Sequence, residues 1–193
     1  MFSGGPKEHV VVFHRSDDEL AGVVTDYLLG ALENGGAAVV VTTRAHRGAI
    51  EDRVGHAGAD ISTAGADGSY LALDAADVLS QFMINDYADP GGFWRVISPV
   101  IRNASRNGGR VRVFAEMVSL LWADGLASPV ADLEALWAEM TAQYSFSLLC
   151  AYPAWLLRDA ERADDLAEIL AGHSGVVTAL GRGEDEFSPS PSD

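Results

Sequence analysis

The chain is poor in cysteine, in cations and in long apolar runs. A single cysteine, Cys150, among 193 residues excludes an internal disulfide and suits a reducing compartment. Lysine and arginine number 13 against 28 aspartates and glutamates, a formal net charge of −15. Nucleic acid and anionic lipid both require clustered cations to displace counterions, so neither is an expected partner. No apolar run reaches the roughly 18–20 residues of a membrane span, and no basic stretch followed by a long apolar one opens the chain. A cytoplasmic location is the expectation.

The sequence also lacks the motifs that carry chemistry on α/β folds. The first strand-to-helix turn is only His14-Arg15-Ser16, without glycine and without a Gly-Lys-Ser/Thr sequence. Backbone amides there cannot wrap a triphosphate, and Asp17, Asp18 and Glu19 already place negative charge at the helix start. No Gly-x-Gly-x-x-Gly follows the first strand, and no Gly-x-Ser-x-Gly elbow occurs. His9, His14, His46, His56 and His173 are scattered, with no pair at ligand spacing on one predicted helix. No metal, cofactor or catalytic set is expected, and Cys150 reads as a buried, inert thiol.

What is present is an alternation of strand-like runs and helical stripes. Apolar residues make up 48% of the chain and charged residues 21%, an ordinary globular composition for one α/β domain. Residues 9–14 (HVVVFH) predict a strand, and Ser16 to Glu19 a capping box opening a helix. Leu20, Val23, Val24, Tyr27, Leu28, Ala31 and Leu32 share one helical face, which Asn34-Gly35-Gly36 ends. Further strands are predicted over 37–42, 69–74, 110–115 and 145–151, with a short edge strand over 176–179. Helices are predicted over 44–55, 75–84, 93–104 and from Ser128-Pro129, and a last helical segment over 153–171, broken near Asp159. Pro99 should kink its helix or restart it with Ser98 as cap. This order implies an α/β fold, a mostly parallel sheet with helices on both faces. Residues 1–8 read as an N-terminal extension, 9–180 as the domain and 181–193 as a disordered acidic Ser/Pro tail.

Ligands of open α/β sheets bind beyond the carboxyl ends of the strands. The residues placed there are His14 and Arg15, Thr42 and Thr43, Asp74, Glu116 and Met117, and Cys150 with Tyr152. Trp122, with Met117 and Tyr152, suggests an apolar wall for a small organic ligand. Glu116 should be either solvated at the rim or held by donors among Thr42, Thr43, Arg15, His14 and Tyr152.

Three segments in this order, HVVVFHRSDDEL, FAEMVSLLW and SLLCAYP, resemble the MEDS domain, the sensory domain of methanogen and methylotroph DcmR-type regulators, over roughly residues 9–180. The resemblance implies a RecA/KaiC-like three-layer sandwich that has lost its phosphate-binding loop. It implies a sensory role in signalling or transcription control, with a small organic ligand or a signalling protein, such as a histidine kinase or anti-sigma-type regulator, as partner. Glu116 and Met117 match the family's Gly-Glu-Met strand end, Cys150 and Tyr152 its Cys-x-Tyr strand end, and Asp17, Asp18 and Glu19 its acidic turn. Ala115 stands where that family usually has glycine, and His14 where an aromatic is common.

The leading expectation is a non-enzymatic sensory module with its site at the carboxyl edge of the sheet. The alternatives are a degenerate NTPase scaffold without a small ligand, and an enzyme using Glu116 as general base. The glycine-free turn predicts neither tight ATP binding nor turnover. Calorimetry with ATP and magnesium checks this, and sub-micromolar binding or hydrolysis above background would contradict it.

Overall fold

The β-branched runs become strands and the apolar stripes helices in the computed structural model, which describes residues 7–158 and 163–178. The expected tail over 181–193, the break near Asp159 and most of the expected extension over 1–8 lie outside the described residues.

The first half of the order is β1 (His9–His14), α1 (Asp17–Leu32), β2 (Ala37–Thr42), α2 (Arg44–His56), α3 (Ile61–Asp67), β3 (Tyr70–Asp74) and α4 (Ala75–Leu79). A small hairpin of β4 (Met83–Ile84) and β5 (Tyr87–Ala88) leads to α5 (Pro90–Ala104) and β6 (Val111–Ala115). The chain then forms α6 (Met117–Ala123), α7 (Ala127–Gln143), β7 (Ser147–Pro153), a 3-10 turn (Ala154–Arg158), α8 (Ala163–Ala171) and β8 (Gly175–Thr178). The main sheet has six strands in the order β3-β2-β6-β7-β1-β8, every pair parallel.

Parallel strands joined by helical crossovers are covered on both faces, so their residues must be apolar on both sides. Two cores result. Val10, Val12, Ala38, Val40, Phe114, Leu149 and Ala151 pack under α1 and α2. Val11, Phe13, Val39, Val113, Leu148, Cys150 and Tyr152 pack under residues of α4 to α8. The sandwich therefore has three layers. One cation, Arg112, is buried in the sheet. Its guanidinium donates to the Tyr27 carbonyl at 2.5 Å and lies 5.0 Å over that ring. Among the described residues no helix is long and apolar enough to cross a membrane.

Four differences from the sequence reading have local causes. The helix predicted over 75–84 stops at Leu79, because the chain reverses through Asn85 and Asp86, both in the left-handed region (φ 48° and 59°), which is the geometry of a two-residue hairpin turn. Helix α3 was not anticipated; Asp60 caps it by accepting from the Thr63 amide at 3.1 Å. Helix α5 runs unbroken from Pro90 through Pro99, capped by Asp89, so Ser98 does not restart it. Strand β7 extends to Pro153, paired with His14 of β1, two residues past its predicted end.

Gly36 sits where β2 enters the sheet, and a Cβ there would lie 2.1 Å from the Arg110 carbonyl oxygen, which accepts from the Ala37 amide at 2.8 Å. A backbone atom in a ladder cannot swing aside. Gly36→Ala should therefore destabilise the fold by about 1–3 kcal/mol, read as a lower urea midpoint with an unchanged slope.

Candidate functional site

An all-parallel sheet gathers every strand's carboxyl end along one edge, and the turns after β1, β2 and β6 meet there. Glu116 follows β6 directly, its amide donating to the Val41 carbonyl at 3.0 Å, which fixes its backbone against β2. Its side chain is only 3% exposed. One carboxylate oxygen accepts from the Thr43 amide, and the other lies 2.7 Å from Nδ1 of His46. Thr43 caps α2 and its hydroxyl accepts from the His46 amide at 3.3 Å, so the same turn that offers an amide to Glu116 delivers the imidazole. On its far side, Nε2 of His46 lies 3.3 Å from Oδ1 of Asp17, whose side chain is 81% exposed.

An imidazole between two carboxylates is favoured in its charged form, since both ring nitrogens can then donate. The hydrogen bond to Glu116 raises the His46 pKa, against the opposing effect of burial. Burial alone would push the Glu116 carboxyl up, but the hydrogen bonds from His46 and the Thr43 amide outweigh it and hold the carboxyl below its ordinary range. Glu116 is thus an anchor with both carboxylate oxygens engaged.

Beside this pair lies an open hollow of about 490 Å³, lined by residues 14–17 at the end of β1, by Pro153 at the end of β7, and by Ala154, Trp155 and Arg158 after it. The capping box read from the sequence shapes one wall. Ser16 accepts from the Glu19 amide at 3.2 Å, while Glu19 reaches back one residue further than the cap, to the Arg15 amide at 2.6 Å. The Arg15 guanidinium turns to Glu19 at 3.3 Å and remains largely exposed. Trp155 is 58% exposed on the opposite wall. Burial lowers the pKa of His14, which lines the same hollow.

The structure brings together His14 and Arg15 in the hollow, and Thr42, Thr43 and Glu116 beside it. The other predicted residues stand elsewhere. Asp74 caps α4, accepting from the amides of Ala76 and Asp77 at 3.0 and 3.2 Å. Met117 and Trp122 of α6 and Cys150 and Tyr152 of β7 are buried in the core between these elements and do not line the hollow. Trp122 and Tyr152 do meet, edge to face at 6.3 Å, but inside that core. The cause for Cys150 and Tyr152 is the longer β7, which makes them inward-facing strand residues instead of strand-end ones. Tyr152 donates to Glu134 at 2.6 Å, so it is no donor to Glu116. His46, Trp155 and Arg158 were missed as site residues. His46 sits in the first turn after a strand end, which is the signal that would have found it, whereas Trp155 and Arg158 required the true end of β7.

A family model for the MEthanogen/methylotroph, DcmR Sensory domain matches residues 8–174. None of the curated proteins compared with the chain matches it.

A histidine whose pKa rises on folding stabilises the fold below its ordinary value of 6.5 and loses that contribution as pH climbs through the raised value. A carboxylate whose pKa falls on folding contributes above its ordinary 4.5 and loses the contribution in acid. The pair therefore contributes most between these two values. Glu116→Gln should cost about 1–3 kcal/mol near pH 6, with the deficit narrowing as pH rises through the His46 titration. NMR titration of the imidazole should place His46 above 6.5 in the wild type and lower in the variant. An identical His46 titration in both proteins would show that the pair is not coupled.

Proposed function

The chain belongs to the family of MEthanogen/methylotroph, DcmR Sensory domains, and on that premise we propose that it senses a small organic ligand in the hollow between the ends of β1 and β7 and signals without catalysis. The observation that carries this reading is the hollow's size and lining. About 490 Å³ suits a small organic molecule, and the hollow is lined by an indole, a proline, an imidazole, two arginines and the Asp17 carboxylate in a chain of net charge −15. Such a lining favours an apolar or aromatic body against Trp155 and Pro153, with an anionic head toward Arg15 and Arg158.

The Asp17–His46–Glu116 chain supports a signalling route. Asp17 belongs both to the hollow's wall and to the imidazolium, so a ligand that displaces Asp17 would loosen α1 from α2. Both oxygens of Glu116 are engaged, and Ser16 is occupied as a helix cap, which argues against a nucleophile-and-base reading. Exposed Trp155 and Leu157 on the turn beside the hollow favour a second reading, in which a signalling protein seats over the same edge.

Trp155 provides the readout, because Trp122 and Trp137 are buried and Trp94 is half-buried and packed against the core, while Trp155 is exposed beside the hollow. Titrating small aromatic carboxylates and their neutral amides should change tryptophan emission for the carboxylates. The change should vanish in Trp155→Phe, and affinity should fall at least tenfold in Arg15→Ala and Arg158→Ala. Binding of equal strength in wild type and both arginine variants would place the ligand elsewhere.

A further inference from the structure

Away from the strand ends, four side chains of metal-binding type meet inside the α7-side core. His9 opens β1, Cys150 lies on the neighbouring β7, Glu134 projects from α7, and His173 stands in the turn between α8 and β8. One ligating atom from each lies within 4.8 Å of all the others. The contacts are 3.2 Å from His9 Nε2 to Glu134 Oε2, 3.5 Å from His173 Nε2 to the same oxygen, 3.5 Å from Cys150 Sγ to His9 Nε2, and 3.7 Å from Cys150 Sγ to Glu134 Oε2. A tetrahedron built on zinc's ordinary bond lengths to nitrogen, oxygen and sulfur has edges of about 3.4 Å between nitrogen and oxygen and about 3.6 Å to sulfur. Four of the six edges thus already have the lengths a bound ion would impose.

We propose that His9, Glu134, Cys150 and His173 form a four-coordinate site for a divalent transition metal of the zinc class. Hydrogen bonding around the cluster points the same way. Nδ1 of His173 lies 2.7 Å from the Ile169 carbonyl and can only donate there, so in the neutral ring Nε2 presents a lone pair. That lone pair faces Glu134 Oε2, an acceptor when ionised, and Nε2 is buried without a hydrogen-bond donor or acceptor of its own. Two acceptors aimed at each other inside a core need a proton or a metal ion between them, and a metal ion would engage Cys150 and His9 at the same time. The carbonyl of Ile169 and the Tyr152 hydroxyl, which donates to Glu134 Oε1 at 2.6 Å, fix one histidine and the carboxylate as outer-shell partners do around metals.

Charge and protons balance. As the metal–sulfur bond forms, Cys150 releases its thiol proton to solvent, and both imidazoles bind as neutral ligands. A dication with one thiolate and one carboxylate is neutral, the state that a dry interior tolerates best. Imidazole, thiolate and carboxylate together suit zinc, whereas magnesium and calcium require oxygen ligands. Four protein ligands leave no open position, so the ion is structural or regulatory rather than a Lewis acid for substrate. Its ligation ties the α8–β8 segment to β1, where Ser174 already bonds the His9 carbonyl through its amide at 2.7 Å and its hydroxyl at 2.9 Å.

The test uses the full chain without a polyhistidine tag, titrated with zinc and separately with cobalt(II) alone. One equivalent of metal per chain should survive dialysis, measured by plasma mass spectrometry. Cobalt should give intense tetrahedral d–d bands and a thiolate-to-cobalt charge-transfer band. The charge-transfer band should disappear in Cys150→Ser, and affinity should fall at least tenfold in that variant and in His173→Ala. His56→Ala, at the exposed end of α2, should bind as the wild type does. A strong chelator should lower the melting temperature of the wild type. If either ligand variant does not fold, the wild-type cobalt spectrum decides. No stoichiometric binding, a spectrum without the thiolate band, or equal affinity in folded ligand variants would overturn the proposal and leave a metal-free, proton-sharing cluster.

Discussion

The sheet is parallel throughout and covered on both faces, and most of the molecule follows from that constraint. A strand buried on both sides has no face on which to place a polar side chain. Polar chemistry is therefore expelled to the strand ends or admitted only where the buried groups satisfy one another. Arg112 is admitted because the Tyr27 carbonyl and ring receive its guanidinium, and Gly30 leaves room for it. Glu116 and Glu134 are admitted because each carboxylate is surrounded by donors or histidines.

The two glutamates resolve the same problem differently. Glu116 lies at the carboxyl edge, and its partners come from the turn after the neighbouring strand, so its bonds tie the end of β6 to the start of α2. Through His46 the tie reaches Asp17 and the hollow's wall. Glu134 comes from a helix and points down onto the sheet, where its partners derive from β1, β7 and the turn before β8. Burial and Glu134 beside it push the Cys150 thiol well above its ordinary range in the metal-free cluster. The first arrangement reaches the open hollow through Asp17. The second is closed to solvent and suits fixing the last strand.

The turn after β1 carries no phosphate-binding loop, and this limits what the strand-end edge can do. A tight, glycine-free turn leaves α1's first amides occupied by its own cap and its first turn acidic. The hollow beside it is bounded on its other side by the turn after β7, which contributes an indole and a guanidinium. The family membership supports a sensory role.

The sequence by itself determined the alternation of elements, the two-faced burial of the strands, the capping of α1 and the lack of a phosphate loop. Each rests on local periodicity or on adjacent residues, such as the run 37–42 or the pair Ser16 and Glu19. It also indicated Glu116 as a strand-end carboxylate. Only the tertiary structure decided which residues face which. A two-residue extension of β7 moved Cys150 and Tyr152 from an expected crevice into the core, because side chains alternate and the pairing with β1 sets where the strand stops. His46 and Glu116 are 70 positions apart, and His9 and Cys150 are 141 apart. No local pattern couples such residues; they meet because β6 lies beside β2 and β7 beside β1, an order set by the packing of helices on two faces.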